Sequence, residues 1–80
     1  MNDGEQRVAA QVRAKLGEAN RCRGDVAHII GASRSAASRK VNGHVPFTLE
    51  DLFAIAGELG LHPAEFFYNI PANSFLPKRY

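Results

Sequence analysis

The stretch Arg23-Gly24-Asp25-Val26-Ala27-His28-Ile29-Ile30-Gly31-Ala32-Ser33-Arg34-Ser35-Ala36-Ala37-Ser38-Arg39-Lys40-Val41-Asn42-Gly43 decides the fold. Over residues 23–30, Val26, Ala27 and Ile30 fall on one helical face, and Gly31 follows as the residue type that closes helices in the left-handed conformation. Ser33 is a strong N-cap for a second helix over residues 34–42, in which Ala37 and Val41 stand one turn apart and Gly43 ends the run. Two short helices joined by Gly31-Ala32-Ser33 predict a helix-turn-helix, with the small residues Ala27 and Gly31 letting the helices cross closely. With Ala37 and Val41 turned to the core, Arg34, Ser35, Ser38, Arg39 and Asn42 form one continuous outward stripe. Every member donates hydrogen bonds and none is acidic. Arginine suits guanine O6 and N7, serine makes a tolerant short contact, and asparagine suits adenine or a phosphate oxygen.

Working outward, helical periodicity continues on both sides. Asn2 or Asp3 can cap a first helix in which Val8, Val12 and Leu16 recur every four residues, with Ala9 and Ala10 beside them. Arg7, Arg13 and Lys15 lie off that stripe and read as its solvated face. Thr48 caps a fourth helix with Leu49, Leu52, Phe53, Ala56 and Leu59 on one face, Asp51 three residues after the cap and Gly60 as terminator. His62 and Pro63 open a short fifth helix containing Glu65, Phe66 and Phe67, with His62 as its cap. The expectation is an all-α, five-helix domain over residues 1–69 followed by a short extended tail, residues 70–80.

Composition narrows the function classes. Eighty residues hold one small domain, and 45% hydrophobic with 22% charged residues is an ordinary globular mix rather than a disordered one. No apolar run approaches the roughly 20 residues that span a bilayer, and Asn2, Asp3 and Glu5 do not open a signal segment, so a soluble, cytoplasmic protein is expected. Cys22 stands alone, excluding an intramolecular disulfide, and reads as a small, partly buried residue. His28, His44 and His62 are too dispersed for a local metal box, no nucleophile elbow or glycine-rich phosphate loop is present, and neither cofactor nor catalysis is expected. Charge, by contrast, is concentrated. Residues 21–44 carry Arg21, Arg23, Arg34, Arg39 and Lys40 against Asp25 alone, while Glu50, Asp51, Glu58 and Glu65 make the following segment acidic. A basic stripe of this kind is the electrostatic footprint expected of phosphate binding.

The run from Val26-Ala27 through Gly31-Ala32-Ser33-Arg34-Ser35-Ala36-Ala37-Ser38-Arg39-Lys40-Val41-Asn42-Gly43, then Thr48-Leu49-Glu50-Asp51-Leu52 and Leu59-Gly60-Leu61-His62-Pro63-Ala64-Glu65-Phe66-Phe67, resembles the lambda-repressor-like, Cro/repressor-type helix-turn-helix family. The resemblance covers roughly residues 5–68 and is closest to the compact versions found in phages and actinobacteria. It implies base-edge contacts by Arg34, Ser35, Ser38 and Arg39, and phosphate contacts at Arg23 and Asn42; Ser33, Lys40 and His44 join the phosphate candidates. Three positions depart from the family pattern: Arg23 stands where glutamine is common, Cys22 where a Ser or Thr cap is common, and Ala37 where a bulkier apolar residue is usual.

The C-terminal segment gathers Phe66, Phe67, Tyr68, Phe75 and Tyr80, broken by Pro71 and Pro77. Two coverings are open for this apolar surface: Ile70, Phe75 and Leu76 fold back on the chain's own core, or Phe66, Phe67, Ile70, Phe75 and Leu76 form a homodimer contact. The expected function is sequence-specific recognition of double-stranded DNA by a Cro/repressor-type transcriptional regulator. The alternatives are a DNA-bending recombination directionality factor and a protein-interaction module that binds no DNA.

Overall fold

The computed structural model describes residues 1–76 and contains four α-helices followed by two short 3-10 helices, with no strand among the described residues. α1 (Asp3–Glu18) starts from a reciprocal capping box in which the Asn2 side chain accepts from the Glu5 backbone N–H and Glu5 accepts from the Asn2 N–H. α2 (Gly24–Ile30) ends on Gly31 at φ +68°, and the Ala32 N–H returns to the Ala27 carbonyl at 3.0 Å. α3 (Arg34–Val41) is capped by the Ser33 hydroxyl, which accepts from Ala36 N–H at 3.1 Å. α4 (Leu49–Leu59) opens with a second capping box between Thr48 and Asp51.

These four helices close over one core. Val8, Val12 and Leu16 of α1, Val26 and Ala27 of α2, Ala37 and Val41 of α3, and Leu52, Ile55 and Ala56 of α4 are buried together around Phe66. Phe66 is the largest fully buried side chain, and burial of a phenylalanine contributes about 1.5–3 kcal/mol. α2 packs on α3 and α4, while α1 packs on α3 and both 3-10 helices.

Four expectations are corrected. The fifth helix is a 3-10 helix, Pro63–Phe67, opened by the His62 ring, whose Nδ1 accepts from Ala64 N–H at 3.1 Å. A five-residue run anchored at the core by Phe66 tightens into i→i+3 bonding because extended backbone at Tyr68 stops it before an α-helix can propagate. α4 buries Leu52, Ile55 and Ala56, whereas Leu49 and Phe53 remain 67% and 57% exposed. They lie on the flank of the stripe drawn by Leu52, Ile55, Ala56 and Leu59, and apolar character alone did not separate flank from face. Cys22 is exposed rather than partly buried.

The tail, finally, is not extended over its described part. Residues 72–75 form the second 3-10 helix, Ala72–Phe75, folded back against α1. Asn2 Nδ2 donates to the Phe75 carbonyl at 2.9 Å, the Phe75 ring covers Gly4, and the Phe67 and Phe75 rings meet at 6.1 Å in a tilted pair. Gly4 makes this possible, since a Cβ there would stand 2.6 Å from the Phe75 ring. Phe66 is therefore core rather than a dimer contact, and Ile70 and Phe75 pack against the core in cis. Residues 77–80, including Pro77 and Tyr80 of the expected tail, lie outside the described residues. No helix among the described residues is long and apolar enough to cross a membrane.

Candidate nucleic-acid interface

α3 is presented by the turn that precedes it. Left-handed Gly31 reverses the chain within Gly31-Ala32-Ser33, and the buried pair Ala37 and Val41 seats the helix on α2 and α1. Arg34, Ser35, Ser38, Arg39 and, at the C-cap, Asn42 are all exposed. Ser33 and His44 are also exposed; the Ser33 hydroxyl serves as cap acceptor, and the His44 N–H donates to the Arg39 carbonyl at 2.8 Å.

The basic segment divides sharply once side chains are placed. Arg21 is engaged by Asp25 at 3.0 Å and by Glu58 at 3.4 Å, and Lys40 by Asp51 at 2.5 Å. Arg23, Arg34 and Arg39 have no carboxylate partner among the described residues. Lys40 is thus the phosphate candidate whose charge is already committed, because its ammonium pairs with Asp51 in the first turn of α4. Arg23 has a neutral partner: its Nη1 donates to Asn42 Oδ1 at 2.7 Å, and Asn42 Nδ2 donates to the Ser38 hydroxyl at 3.2 Å. This bridge joins the start of α2 to the exposed face of α3, and Arg23, Arg34, Ser35, Ser38 and Asn42 line one shallow recess between the two helices.

This arrangement of α2, turn and α3 sits inside a longer match, since the BetR domain model covers residues 5–77. The chain belongs to the BetR domain family. It is a helix-turn-helix family of the Cro/C1-like type, in keeping with the sequence resemblance. Two solved structures share the fold of this BetR domain. The restriction-modification controller protein C.AhdI from Aeromonas hydrophila superposes with a TM-score of 0.67 at 19% identity, over 78% of this chain and 94% of that one. The hypothetical transcription factor NHTF from Neisseria superposes with a TM-score of 0.71 at 17% identity, over 89% of this chain and 79% of that one. No curated protein matches the sequence significantly.

Three residues that support α3 in this BetR domain were not legible as such. Arg13, read as solvated, sends its Nη1 to the Val41 carbonyl at 2.7 Å, and Gln6 Nε2 reaches the Gly43 carbonyl at 2.8 Å. Both satisfy acceptors left open where α3 ends, and the arginine also opposes the partial negative charge there. Gly43 has φ +81°, a conformation that favours glycine, and is buried against Gln6, whose side chain would have to shift to admit a Cβ. The third is Asp51, which caps α4 and holds Lys40 of α3 at once. Burial would push its carboxyl upward, but hydrogen bonds from Lys40 and the Thr48 N–H, with the nearby Lys40 charge, hold it below the ordinary carboxylate range. None of these contacts has a local sequence signal except the Thr48-x-x-Asp51 cap itself.

Arg13→Ala is expected to lower the unfolding free energy by about 1–2 kcal/mol, because a charge-assisted bond to a part-buried carbonyl is lost with no replacement. Urea denaturation measures it, and a midpoint equal to wild type would show that water satisfies Val41 equally well.

Proposed function

We propose that this BetR domain is a sequence-specific double-stranded DNA-binding regulator of transcription, of the Cro/repressor type, that lays α3 in the major groove. The observation that carries the reading is the exposed stripe of Arg34, Ser35, Ser38, Arg39 and Asn42, in which both arginines stand without a carboxylate partner among the described residues. An ordinary solvated helix mixes both signs of charge, as α1 does with Arg7 and Asp3. The names of the two structural neighbours, a restriction-modification controller and a hypothetical transcription factor, support the same reading. Arg34, Ser35, Ser38 and Arg39 are the base-edge residues; Arg23, Ser33, Asn42 and His44 flank them as phosphate contacts. The place of action is accordingly on DNA in the cytoplasm.

Selection of bound duplexes from a random pool tests the reading directly: a consensus is expected, and its absence at low salt would refute it. On the selected site, Arg34→Ala and Arg39→Ala are expected to cost about 1–3 kcal/mol each and to relax preference at particular base pairs. Arg23→Ala lowers affinity for selected and random duplex together, because a phosphate contact carries no base information. Equal losses on both duplexes for all three variants would remove the distinction.

A second copy of the chain completes the proposed complex, since one short helix reads only part of a site and helix-turn-helix modules bind half-sites about one helical turn apart. The face available for it keeps Phe67, Phe75 and Leu76 of the sequence reading and adds Leu49 and Phe53 of α4. Leu49, Phe53 and Phe67 are exposed, and Leu49 and Phe67 line a groove with Phe47 and Phe75, while Leu76 is exposed on the tail. Sedimentation of the protein on its selected site is expected to give two chains per duplex, reduced to one by Phe53→Ser; a single wild-type chain on the duplex would refute the dimer.

A further inference from the structure

We propose that Gln6 is a positioning residue for DNA recognition and that the folded-back tail governs it: Phe75, seated on the first turn of α1, holds that turn and with it the grip of Gln6 on the end of α3. The inference rests on the DNA-binding reading and adds to it an element, remote from α3, that sets the placement of the reading helix.

The end of α3 is fixed from α1 on both sides of Asn42. Arg13 Nη1 donates to the Val41 carbonyl at 2.7 Å, and Gln6 Nε2 donates to the Gly43 carbonyl at 2.8 Å. Asn42 between them accepts from Arg23 and donates to Ser38, so the two held carbonyls bracket the residue that bridges α3 to the start of α2. The His44 N–H closes the same turn on the Arg39 carbonyl at 2.8 Å. A shift of Gly43 therefore carries Asn42 with it and disturbs the last turn of α3, where Ser38 and Arg39 lie.

The two anchors differ in what stands behind them. Arg13 lies about two turns beyond Gln6 along α1, between the buried Val12 and Leu16, and its backbone is held by the core. Gln6 depends on the helix start, since its own N–H bonds to the Asn2 carbonyl at 3.2 Å. Helix starts fray unless something holds them. Here Asn2 Oδ1 accepts from the Glu5 N–H while Asn2 Nδ2 donates to the Phe75 carbonyl, and the Phe75 ring rests on the buried Gly4. Among the described residues, that Asn2–Phe75 bond is the one hydrogen bond tying residues 72–76 to another element. The chain enters the tail at Asn69, φ +61°, with the Ile70 N–H returned to the Phe67 carbonyl at 3.1 Å. Gln6, Asn73 and Ser74 line one open cleft, so the tail acts on Gln6 through the first turn of α1. With the tail seated, Gln6 holds Gly43; with it lifted, the start of α1 frays and the Gly43 carbonyl is released. A cut or a partner at the tail thereby lowers DNA affinity without touching α3.

The test measures binding of whole-chain variants to a duplex carrying a single half-site, where a second copy contributes nothing. Gly4→Ala evicts the Phe75 ring, since a Cβ there would stand 2.6 Å from it, yet favours helix in α1. Asn2→Asp keeps the cap acceptor for Glu5 and loses the donor to Phe75. Gln6→Met keeps length and helix propensity and loses the donor to Gly43. Each variant is expected to melt cooperatively, to exchange its His44 amide proton faster than wild type, and to lose about fivefold in half-site affinity, within the range for residues that couple sites without touching the ligand. Affinity measured well below the melting temperature is that of the folded chain, so a loss of stability alone leaves it unchanged. Gly4→Ala combined with Gln6→Met is expected to lose no more than about fivefold, because both break one link. Wild-type affinity for Gln6→Met would overturn its positioning role. Wild-type affinity for both tail variants, or losses that multiply in the double variant, would overturn control by the tail while leaving DNA binding intact. Failure of the random pool to yield any consensus would instead remove the DNA reading, and the proposal with it.

Discussion

Val41→Asp is expected to unfold the protein rather than merely weaken an interaction of α3. Val41 is fully buried, in the same cluster as Val12, Val26 and Ile55, and the guanidinium beside it, that of Arg13, is bonded to the Val41 carbonyl at the end of α3 rather than inside the cluster. Burying a charge without a partner costs many kcal/mol, and an 80-residue domain has only about 5–15 kcal/mol in total, at the lower end for its size. Ala37→Glu should act alike, since Ala37 is 2% exposed and shares the cluster with Ala27 of α2, where close crossing leaves no room for a longer side chain. Far-ultraviolet circular dichroism and thermal melting read the result: loss of helicity and of a cooperative transition. Ser38→Ala and Arg39→Ala, neighbours on the exposed face, should melt near wild type. Normal melting of Val41→Asp would mean that α3 is rotated relative to the described packing.

Asp51→Ala should follow as the second largest effect, about 2–3 kcal/mol, because three functions of one side chain are lost together. It removes the capping-box acceptor for Thr48 N–H, it unties α3 from α4 by releasing Lys40, and it leaves the Lys40 ammonium in a site where the two side chains are only 18% and 12% exposed. Asp51→Asn, which keeps an oxygen for the cap, should recover part of the loss. The pH dependence supplies an independent readout. The Asp51 carboxyl sits below its ordinary value in the folded chain, so its contribution is fully present above the unfolded carboxylate range and disappears as pH falls through the lower folded value. Asp25, held down by the hydrogen bond from Arg21 against the opposing effect of desolvation, acts in the same direction. Acid titrations of stability should therefore show a shallower fall for Asp51→Ala than for wild type; an identical acid limb would show that the pair with Lys40 contributes nothing.

Much of this molecule was legible in the chain because the signals are local. The caps Asn2, Ser33, Thr48 and His62, the stops Gly31 and Gly60, and the inward pair Ala37 and Val41 each depend on residues within one helical turn. Since helix phase is set by the 3.6-residue period, burying Ala37 and Val41 leaves Ser35, Ser38, Arg39 and Asn42 outside, and Arg34 is exposed because it opens the helix. The composition of that stripe, donors without acids, was therefore a property of the sequence itself.

Where the sequence misled, a distant partner made the choice. Leu49 and Phe53 are as apolar as Ile55, and only the position of α2 and the first 3-10 helix determines which flank of α4 is covered. Arg13 and Lys40 look alike as solvated or phosphate-binding cations, yet one reaches a carbonyl 28 residues away and the other a carboxylate 11 residues away. Periodicity and capping act within a few residues, so by themselves they determined the helices, the turn and the exposed face of α3. Ion pairs, carbonyl anchors and the fold-back of Phe75 onto Gly4 join atoms that only packing brings together, and those the tertiary structure alone decided.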